Sequence, residues 1–226
     1  MDDIVQQNNI PCTFEAAGEL MGGRRVWAMV KMPSFNILGD PVDQYLYLSN
    51  SHDGTSSFQA GISHIRIACT NAMKMMFRNA ISKWTARHTV SVSDRHAEAI
   101  RILGYTTKYQ GVMVAEVEQM ARQKIDMVKF AEMLFPLKDV KEGEEASKRA
   151  IGTVKEQRMR LLTLHNEKDD LANFRGTAWG AYSAVSDMVS NTVPLRTTEN
   201  SADRKLAGFF DGYPLLNKAQ EILLAA

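Results

Sequence analysis

Apolar and polar positions alternate with a period of two along the first third of the chain, which is the pattern of β-strands with unlike faces. Thr13–Glu19 and Arg24–Met32 are two such segments, and the Gly-Gly pair between them favours a tight turn with positive φ. Together they predict a first hairpin. Pro33 is expected to end it, and Ser34–Val42 is expected to be a loop.

A second hairpin is predicted from Tyr45–Ser49 and from roughly Ser56–Cys69. The His-Asp-Gly turn between them supports it, because Asp-Gly tolerates the dihedrals that a tight turn requires. A helix is expected to begin at Thr70 or Asn71, either of which can cap it. The segment Lys83–Val92 that follows is expected to be extended.

From Ser93 onward the apolar spacing is that of helices, expected at Ser93–Gly104 and then at about 107–122, 125–135, 142–165, 177–191, 201–208 and 214–225. The sequence therefore predicts an α+β fold. About four to five strands, in antiparallel β-hairpins packed on a helix, precede a mostly α-helical C-terminal half. Residues 1–92 would be a β-rich core with a basic helix, and residues 93–226 a helical region packed on that core as one domain. The strongly charged stretch near 142–168 would be an exposed helical arm.

Composition narrows the class of protein. With 226 residues, 45% of them hydrophobic, the chain suits one large domain or a core with an appendage. No run of about 18 apolar residues is present, so no transmembrane helix is expected. The acidic, polar N-terminus is unlike a secretory signal. Cys12 and Cys69 are too few for a disulfide framework, which favours a reducing cytoplasm.

Charge is unevenly distributed although the formal net charge is only +1. Thr55–Val92 carries five Lys or Arg residues and no Asp or Glu. A solvated basic face is the simpler interpretation of this stretch. A surface for a negatively charged partner is the other.

The sequence offers little for catalysis. It has no phosphate-binding loop, no His-Glu-x-x-His and no Gly-x-Ser-x-Gly motif. Ser51, His52 and Asp53 are adjacent on a predicted tight turn, where they cannot fold back into a nucleophile, base and orienting acid. His64 and His88 with Asp53 lack the spacing of a metal site, so no metal is expected.

Nucleic-acid binding has better support. A single strand requires cations for its phosphates and flat side chains for its bases. The candidates lie on the second and fourth predicted strands, on the helix that follows and in the extended segment: Arg25, Trp27, Lys31, His64, Arg66, Lys74, Arg78, Trp84, Arg87 and His88. These residues line one groove if the hairpins pack side by side. Core packing is the alternative for Trp27 and Trp84, whereas charges are seldom buried unpaired.

Four segments carry a resemblance to a known family: AGELMGGRRVWAMVKMP, YLYLSNSHDGTSSFQAGISHIRIACTNAM, ARHT and GTAWGAYSAVSDMVSNT. They resemble the phage/plasmid-like protein family catalogued as a domain of unknown function. The matching positions are Gly22, Gly23, Arg24, Arg25, Trp27, Asn50, His52, Asp53, Gly54, Arg66, Cys69, Asn71, Arg87, His88, Thr89, Gly176, Thr177, Trp179 and Gly180. His64 stands where the family usually has proline, and Ala72 where threonine is usual.

The resemblance spans Asp2–Leu224. It implies a phage, prophage or plasmid origin and no established reaction. Because members of the family are usually longer at the N-terminus, it also implies a short member or a fragment.

The order of hairpin, hairpin and helix with a basic face is more loosely similar to the core of single-strand annealing recombinases of the lambda Red beta and eukaryotic Rad types. Proteins of that superfamily form rings or helical filaments and hold DNA in a positive groove between the hairpins and the helix. The likeness is one of topology, which does not by itself fix function.

The leading hypothesis is therefore single-stranded DNA binding and strand annealing in the recombination of a phage or mobile element, without covalent chemistry. The protein would be a homo-oligomer, a ring or helical filament, in the cytoplasm of a bacterial host. It would not be an enzyme and would have no cofactor and no membrane partner. The alternative is a phage-encoded protein-interaction module that inhibits a host defence or repair complex. A metal-dependent nuclease using His52, Asp53, His64 or His88 is the third hypothesis.

Overall fold

The computed structural model describes residues 11–54, 57–66, 71–73, 83–86, 111–137, 148–190 and 213–225. The chain divides into two compact units. The sheet unit comprises residues 1–116 and 193–212, and the helical unit comprises residues 117–192 and 213–226. Within the described ranges, no helix has both the length and the apolar character needed to cross a bilayer. The predicted boundary at residue 92 and the predicted helices at 93–104 and 201–208 lie outside the described residues.

The sheet unit is built on one antiparallel sheet with six strands among the described residues. The strands are β1 (Thr13–Leu20), β2 (Arg25–Ile37), β3 (Asp40–Ser51), β4 (Phe58–Arg66), β5 (Asn71–Met73) and β6 (Lys83–Ala86). The first four pair with their neighbours in chain order, β1-β2-β3-β4, as a meander. With the helices that follow, this arrangement confirms the predicted α+β fold.

The turn between β2 and β3 corrects the predicted loop at Ser34–Val42. β2 continues through Pro33, which lies in a bulge between Met32 and Phe35, where a missing N–H is tolerated. Leu38 and Gly39 form a two-residue hairpin turn with φ of 52° and 88°. Positive φ at both central residues is the geometry of a type I′ turn, whose twist matches that of the flanking strands. The first three strands are therefore one continuous meander.

The structure after β4 also differs from the prediction. A helix was predicted to begin at Thr70 or Asn71, but Asn71–Met73 is the short strand β5, antiparallel to the end of β4. Extended pairing with β4 satisfies these backbone groups and overrides the local capping preference. β6 pairs with the start of β4, from Phe58 to Gly61, which confirms the predicted extended backbone at Lys83.

The apolar core of the sheet lies on one face. Its buried members alternate along three adjacent strands and are brought opposite one another by the register: Val30, Met32, Leu46, Ala60 and Ile62. Cys12, Leu48 and Phe58 are partly buried against this cluster. Val30 and Met32 are two positions apart in β2 and lie on the same face, as the period-two alternation of this strand indicates.

The helical unit contains the remaining elements, except for residues 111–116 at the start of the first helix, which belong to the sheet unit. The described helices are α1 (residues 111–122), α2 (Met127–Leu134), α3 (Lys148–Glu167), α4 (Ala178–Ser190) and α5 (Pro214–Ala225), with a 3₁₀-helix at Asp169–Phe174. Each α-helix coincides with a predicted one, although residues 107–110 and 142–147 of the predicted helices lie outside the described residues; the 3₁₀-helix was not predicted. Asp126 caps α2 by accepting hydrogen bonds from the N–H groups of Val128 and Lys129.

Helix α5 is tied to earlier parts of the helical unit by side chain to backbone hydrogen bonds. Lys218 Nζ donates to the carbonyl of Leu134 at the end of α2, at 2.7 Å. Gln123 Nε2 donates to the carbonyl of Leu223 at 3.0 Å. The buried residues of α5 are Leu216, Ala219, Gln220 and Leu223.

The β2–β3 turn generates a prediction, because Leu38 holds a left-handed conformation that an L side chain adopts at a cost of about 1 kcal/mol. Leu38→Asn should stabilise the protein by roughly 0.5–1 kcal/mol, since Asn tolerates this conformation and Asn-Gly suits the turn. Urea unfolding measures the change. The matched control is Leu38→Val, which is β-branched and should destabilise. Equal stabilities of the two variants would contradict the assignment.

Candidate nucleic-acid interface

Arg25 is the first candidate cation, and it is held inside a polar network. The residue is only 6% exposed. Its Nε donates to Ser49 Oγ at 2.7 Å, and one of its terminal nitrogens donates to Gln59 Oε1 at 3.1 Å. Ser49 and Gln59 are themselves buried and face each other across β3 and β4. The guanidinium therefore links three strands of the sheet.

Trp27, two residues further along β2, packs against the neighbouring strand β1. Gly18 of β1 is its register partner. A Cβ added at Gly18 would come within 2.9 Å of Trp27 Cζ2, so the indole occupies the space that a side chain would take. Packing across a strand glycine explains the half-buried state of Trp27, which is the alternative that the sequence analysis left open.

Lys31 is paired within the same strand set. Its ammonium lies 2.6 Å from Asp43 Oδ2, and the hydroxyl of Ser34 donates to Asp43 Oδ1 at 2.5 Å. Tyr45 Oη makes a longer contact of 3.4 Å with the same carboxylate. The carboxylate is mostly buried and the lysine about one-third exposed. The pair is a fixed part of the sheet surface.

The pKa values of this cluster follow from its geometry. Burial would raise the pKa of Asp43, but hydrogen bonds from Lys31 and Ser34 and the charge of Lys31 outweigh it, so the pKa is lowered. The hydrogen bond to Asp43 raises the pKa of Lys31. Burial, and then the charge of Asp43, raise the pKa of Tyr45. Carboxylate and ammonium each favour the other's charged form.

The remaining candidates come from the acid-free stretch. His64 and Arg66 lie in β4, and Trp84 lies in β6, which pairs with β4. β6 is three strand spacings from β2, or ~14 Å, so the backbones of Trp84 and Trp27 are not adjacent. The candidates that lie outside the described residues are Lys74, Arg78, Arg87 and His88.

The Ser-His-Asp turn after β3 has a direct hydroxyl to carboxylate contact. Ser51 Oγ donates to Asp53 Oδ1 at 2.6 Å, with no imidazole between them. His52 is exposed, and its backbone N–H donates to the carbonyl of Arg24 at 2.8 Å. In the part of the chain that the structure describes, no three His, Cys, Asp or Glu residues are placed to hold a metal ion.

A second polar constellation, which the sequence analysis did not identify, lies at the junction of α3 and α4. His165 is buried, and its Nε2 accepts a hydrogen bond from the Gly176 N–H at 3.1 Å. Because Nε2 accepts, the ring proton resides on Nδ1, which lies 2.9 Å from Asn166 Oδ1 and donates to it. The imidazole thus fixes the turn that precedes α4.

The start of α4 is equally constrained. Thr177 caps the helix: its Oγ1 donates to the carbonyl of Phe174 at 2.7 Å and accepts from the Gly180 N–H at 3.1 Å. A Cβ at Gly180 would lie 2.1 Å from the Phe174 carbonyl oxygen. Further along, Lys168 Nζ forms a 2.7 Å ion pair with the buried Asp187. Thr177 and Gly180 therefore each have a structural reason for their residue type.

Several residues of these networks were missed from the sequence. Ser49, Gln59, Asp43 and Ser34 become partners only through the β2–β3–β4 register, which depends on the turn at Leu38. The alternation of Asp43, Tyr45, Tyr47, Ser49 and Ser51 along β3 was the available signal, since all five are buried on one face. His165 has no local sequence signal.

Comparison with known proteins identifies the family. The family model described as Domain of unknown function (DUF932) matches residues 1–208, which confirms the predicted membership of an uncharacterised domain family. No curated protein matches the chain significantly. No solved structure does so either.

Asp43 generates a pH prediction. Its lowered pKa means that its stabilisation is complete above the unfolded-state pKa of about 3.9 and is lost as the pH falls through the folded-state pKa. Asp43→Asn should therefore be less stable than the natural protein at neutral pH, and the gap should narrow as the pH falls below about 4. Urea unfolding at several pH values measures it. Glu156→Gln, which removes an exposed carboxylate of α3, is the control, and a pH-independent gap for Asp43→Asn would refute the assignment.

Gly180 provides a second prediction, with a matched control elsewhere in the helical unit. Gly180→Ala should destabilise the protein by roughly 2–4 kcal/mol, because the added methyl collides with a backbone carbonyl rather than with a flexible side chain. Gly152→Ala, in α3 with open space around it, should instead stabilise by about 0.5–1 kcal/mol. Thermal unfolding followed by circular dichroism compares them. Similar effects of the two changes would show that α4 is not packed as described.

Proposed function

The chain belongs to the DUF932 family, and we propose that this member binds single-stranded DNA and anneals complementary strands without covalent chemistry. The observation that carries the proposal is the position of the acid-free stretch Thr55–Val92 in the sheet. This stretch supplies β4, β5 and β6, so its backbone forms one side of the described sheet.

The pairing of β4 with β5 and β6 brings the strands of this stretch together. β5 pairs with the end of β4 and β6 with its start, so both short strands lie along the same edge. Between Thr55 and Val92 the chain carries five cations and no carboxylate that could neutralise them from within the stretch. Lys and Arg that neutralise phosphates release bound counterions, which is the main source of sequence-independent affinity for DNA.

The roles of the candidate residues divide accordingly. Arg25 and Lys31 are engaged by Ser49, Gln59 and Asp43, so in this proposal they hold the sheet together. Phosphate contacts are assigned to Arg66, Lys74, Arg78, Lys83 and Arg87. Trp84, with His64 and His88, is assigned to the bases, since flat rings stack on bases of any sequence.

Annealing requires no catalytic group under this proposal. The protein would hold one strand by its phosphates and leave its bases open to a second strand. Pairing then supplies the driving free energy, about 1.4 kcal/mol for each stacked step. Assembly of several copies into a ring or helical filament would multiply the phosphate contacts and lengthen the strand that is held.

The test is binding of a labelled thymidine oligonucleotide, measured by fluorescence anisotropy over a range of salt concentrations. Arg66→Ala with Arg78→Ala should weaken binding and reduce the salt slope by about 1.4, because each lost phosphate contact accounts for about 0.7. The matched control is Arg122→Ala with Arg175→Ala, two exposed arginines of the helical unit. Absence of binding by the natural protein at ~50 mM salt would overturn the proposal, since electrostatic binding is strongest at low salt.

Annealing is then measured separately, from the rate at which two complementary labelled strands pair with and without protein. Mass photometry with and without the oligonucleotide reports assembly. Binding without accelerated pairing would leave a single-strand binding protein and remove annealing from the proposal.

A further inference from the structure

An apolar groove lies on the helical unit, between the end of α2 and the start of α3, and no role above accounts for it. Positions Ile151, Val154, Arg158, Leu161 and His165 of α3 repeat at intervals of three and four, so they share one stripe of the helix. Leu161 and His165, toward the C-terminal end of the helix, are buried. Ile151 and Val154, near the N-terminal end of the helix, line the groove.

The opposite wall is the chain that leaves α2. Leu134, Phe135, Pro136 and Leu137 form it, and the groove has a volume of about 610 Å³. That volume is within the range of pockets that enclose small ligands or several bulky side chains. Leu137 is 47% exposed, which is high for a leucine. Its side chain is one of the large apolar surfaces that the described residues leave open to solvent.

The wall is held in place by two cations that cap the end of α2. Lys218 Nζ donates to the Leu134 carbonyl at 2.7 Å, and Arg158 Nε donates to the Phe135 carbonyl at 3.0 Å. Arg158 also pairs with Glu132 at 3.6 Å. A groove fixed in this way needs little ordering when a ligand binds, which favours affinity.

The rim of the groove is basic. Residues 148–160 contain five Lys or Arg and one acid, Glu156. Lys148, Arg149 and Lys155 are exposed. Among the described residues, no carboxylate forms an ion pair with these three side chains.

We propose that this groove binds a short segment of a partner protein in which two or three bulky apolar residues are flanked by Asp or Glu. Apolar walls accept the bulky side chains, and the cations of the rim attract the acidic flanks and orient the segment. The residues of this chain that connect α2 to α3, 138–147, carry four Asp or Glu residues but have only Val140 and Ala146 as apolar residues, so they lack the bulky apolar side chains that the groove accepts. The inference does not rest on the proposed DNA binding.

A nucleic acid fits the groove less well. Single strands need flat rings on which bases stack. Phe135 is the one aromatic residue among those that line the groove, and the rest of the wall is mostly aliphatic. The arrangement of aliphatic walls inside a cationic rim therefore favours an acidic, apolar peptide over a phosphate backbone.

The experiment uses the full chain and three labelled synthetic peptides, with binding measured by fluorescence anisotropy. The probe has a Leu-Phe-Leu centre between Asp and Glu residues. One comparison peptide replaces the centre with Ser, and the other replaces the acids with Lys. The probe should bind at least about tenfold more tightly than either comparison peptide, because both the apolar and the charged contacts are needed. Equal binding of all three peptides, or no binding of the probe, would overturn the proposal.

Variants locate the site. Arg149→Glu with Lys155→Glu should weaken probe binding about tenfold, and Ile151→Gln should weaken it without changing its salt dependence. Arg122→Glu is the control, since it reverses an exposed charge of α1 that does not line the groove, and it should leave probe binding unchanged. Circular dichroism confirms that each variant is folded.

Three outcomes would assign the groove differently and overturn the proposal. Unchanged probe binding in the groove variants would place the peptide elsewhere. Loss of oligonucleotide binding with unchanged peptide binding would make the rim a nucleic-acid surface. If the protein forms larger particles without peptide, and the groove variants do not, the groove would be a contact between copies of this chain. A chain that binds oligonucleotide but not the probe refutes only this proposal, and the reverse result refutes only DNA binding.

Discussion

Buried polar groups must find partners inside a protein, and this requirement organises both compact units. In the sheet unit, Ser49 and Gln59 accept hydrogen bonds from the buried Arg25 across two further strands. Those partners exist only in one strand register, and a slip of one residue would carry them to the other face. The polar side of the sheet therefore helps to specify the strand pairing, together with the apolar side.

The same requirement acts in the helical unit through one imidazole. His165 accepts from Gly176 and donates to Asn166, so the end of α3 and the turn before α4 share one hydrogen-bonded unit. Tyr182 and Ser183, on the buried side of α4, are exceptions: within the described residues, their hydroxyl oxygens are buried and have no hydrogen-bond partner. Burial raises the pKa of Tyr182, so its phenol remains neutral. Such uncompensated groups cost stability.

The local pattern of apolar and polar residues was sufficient to predict much of the fold. Alternation identified Thr13–Glu19 and Arg24–Met32 as strands, and apolar spacing located the described helices, because both signals depend only on neighbours in sequence. The errors have a common cause, since Pro33 and Asn71 each carry a local preference that pairing with another strand overrides. The candidate site was harder to predict. Residue type marked Arg25 and Lys31 as free cations, whereas their partners Gln59 and Asp43 come from other strands.

The hydrogen bond from Gln123 to Leu223 joins residues that are 100 positions apart, and Lys218 reaches back across 84 positions to Leu134. The strands β1 to β4, by contrast, pair with their immediate neighbours in the chain. Contacts between distant positions form late, because the entropy of closing the intervening loop opposes them. On the ribosome the meander can therefore pair while α5 is still unsynthesised. The helices that α5 joins have to wait for it, with part of their apolar surface open to chaperones and proteases.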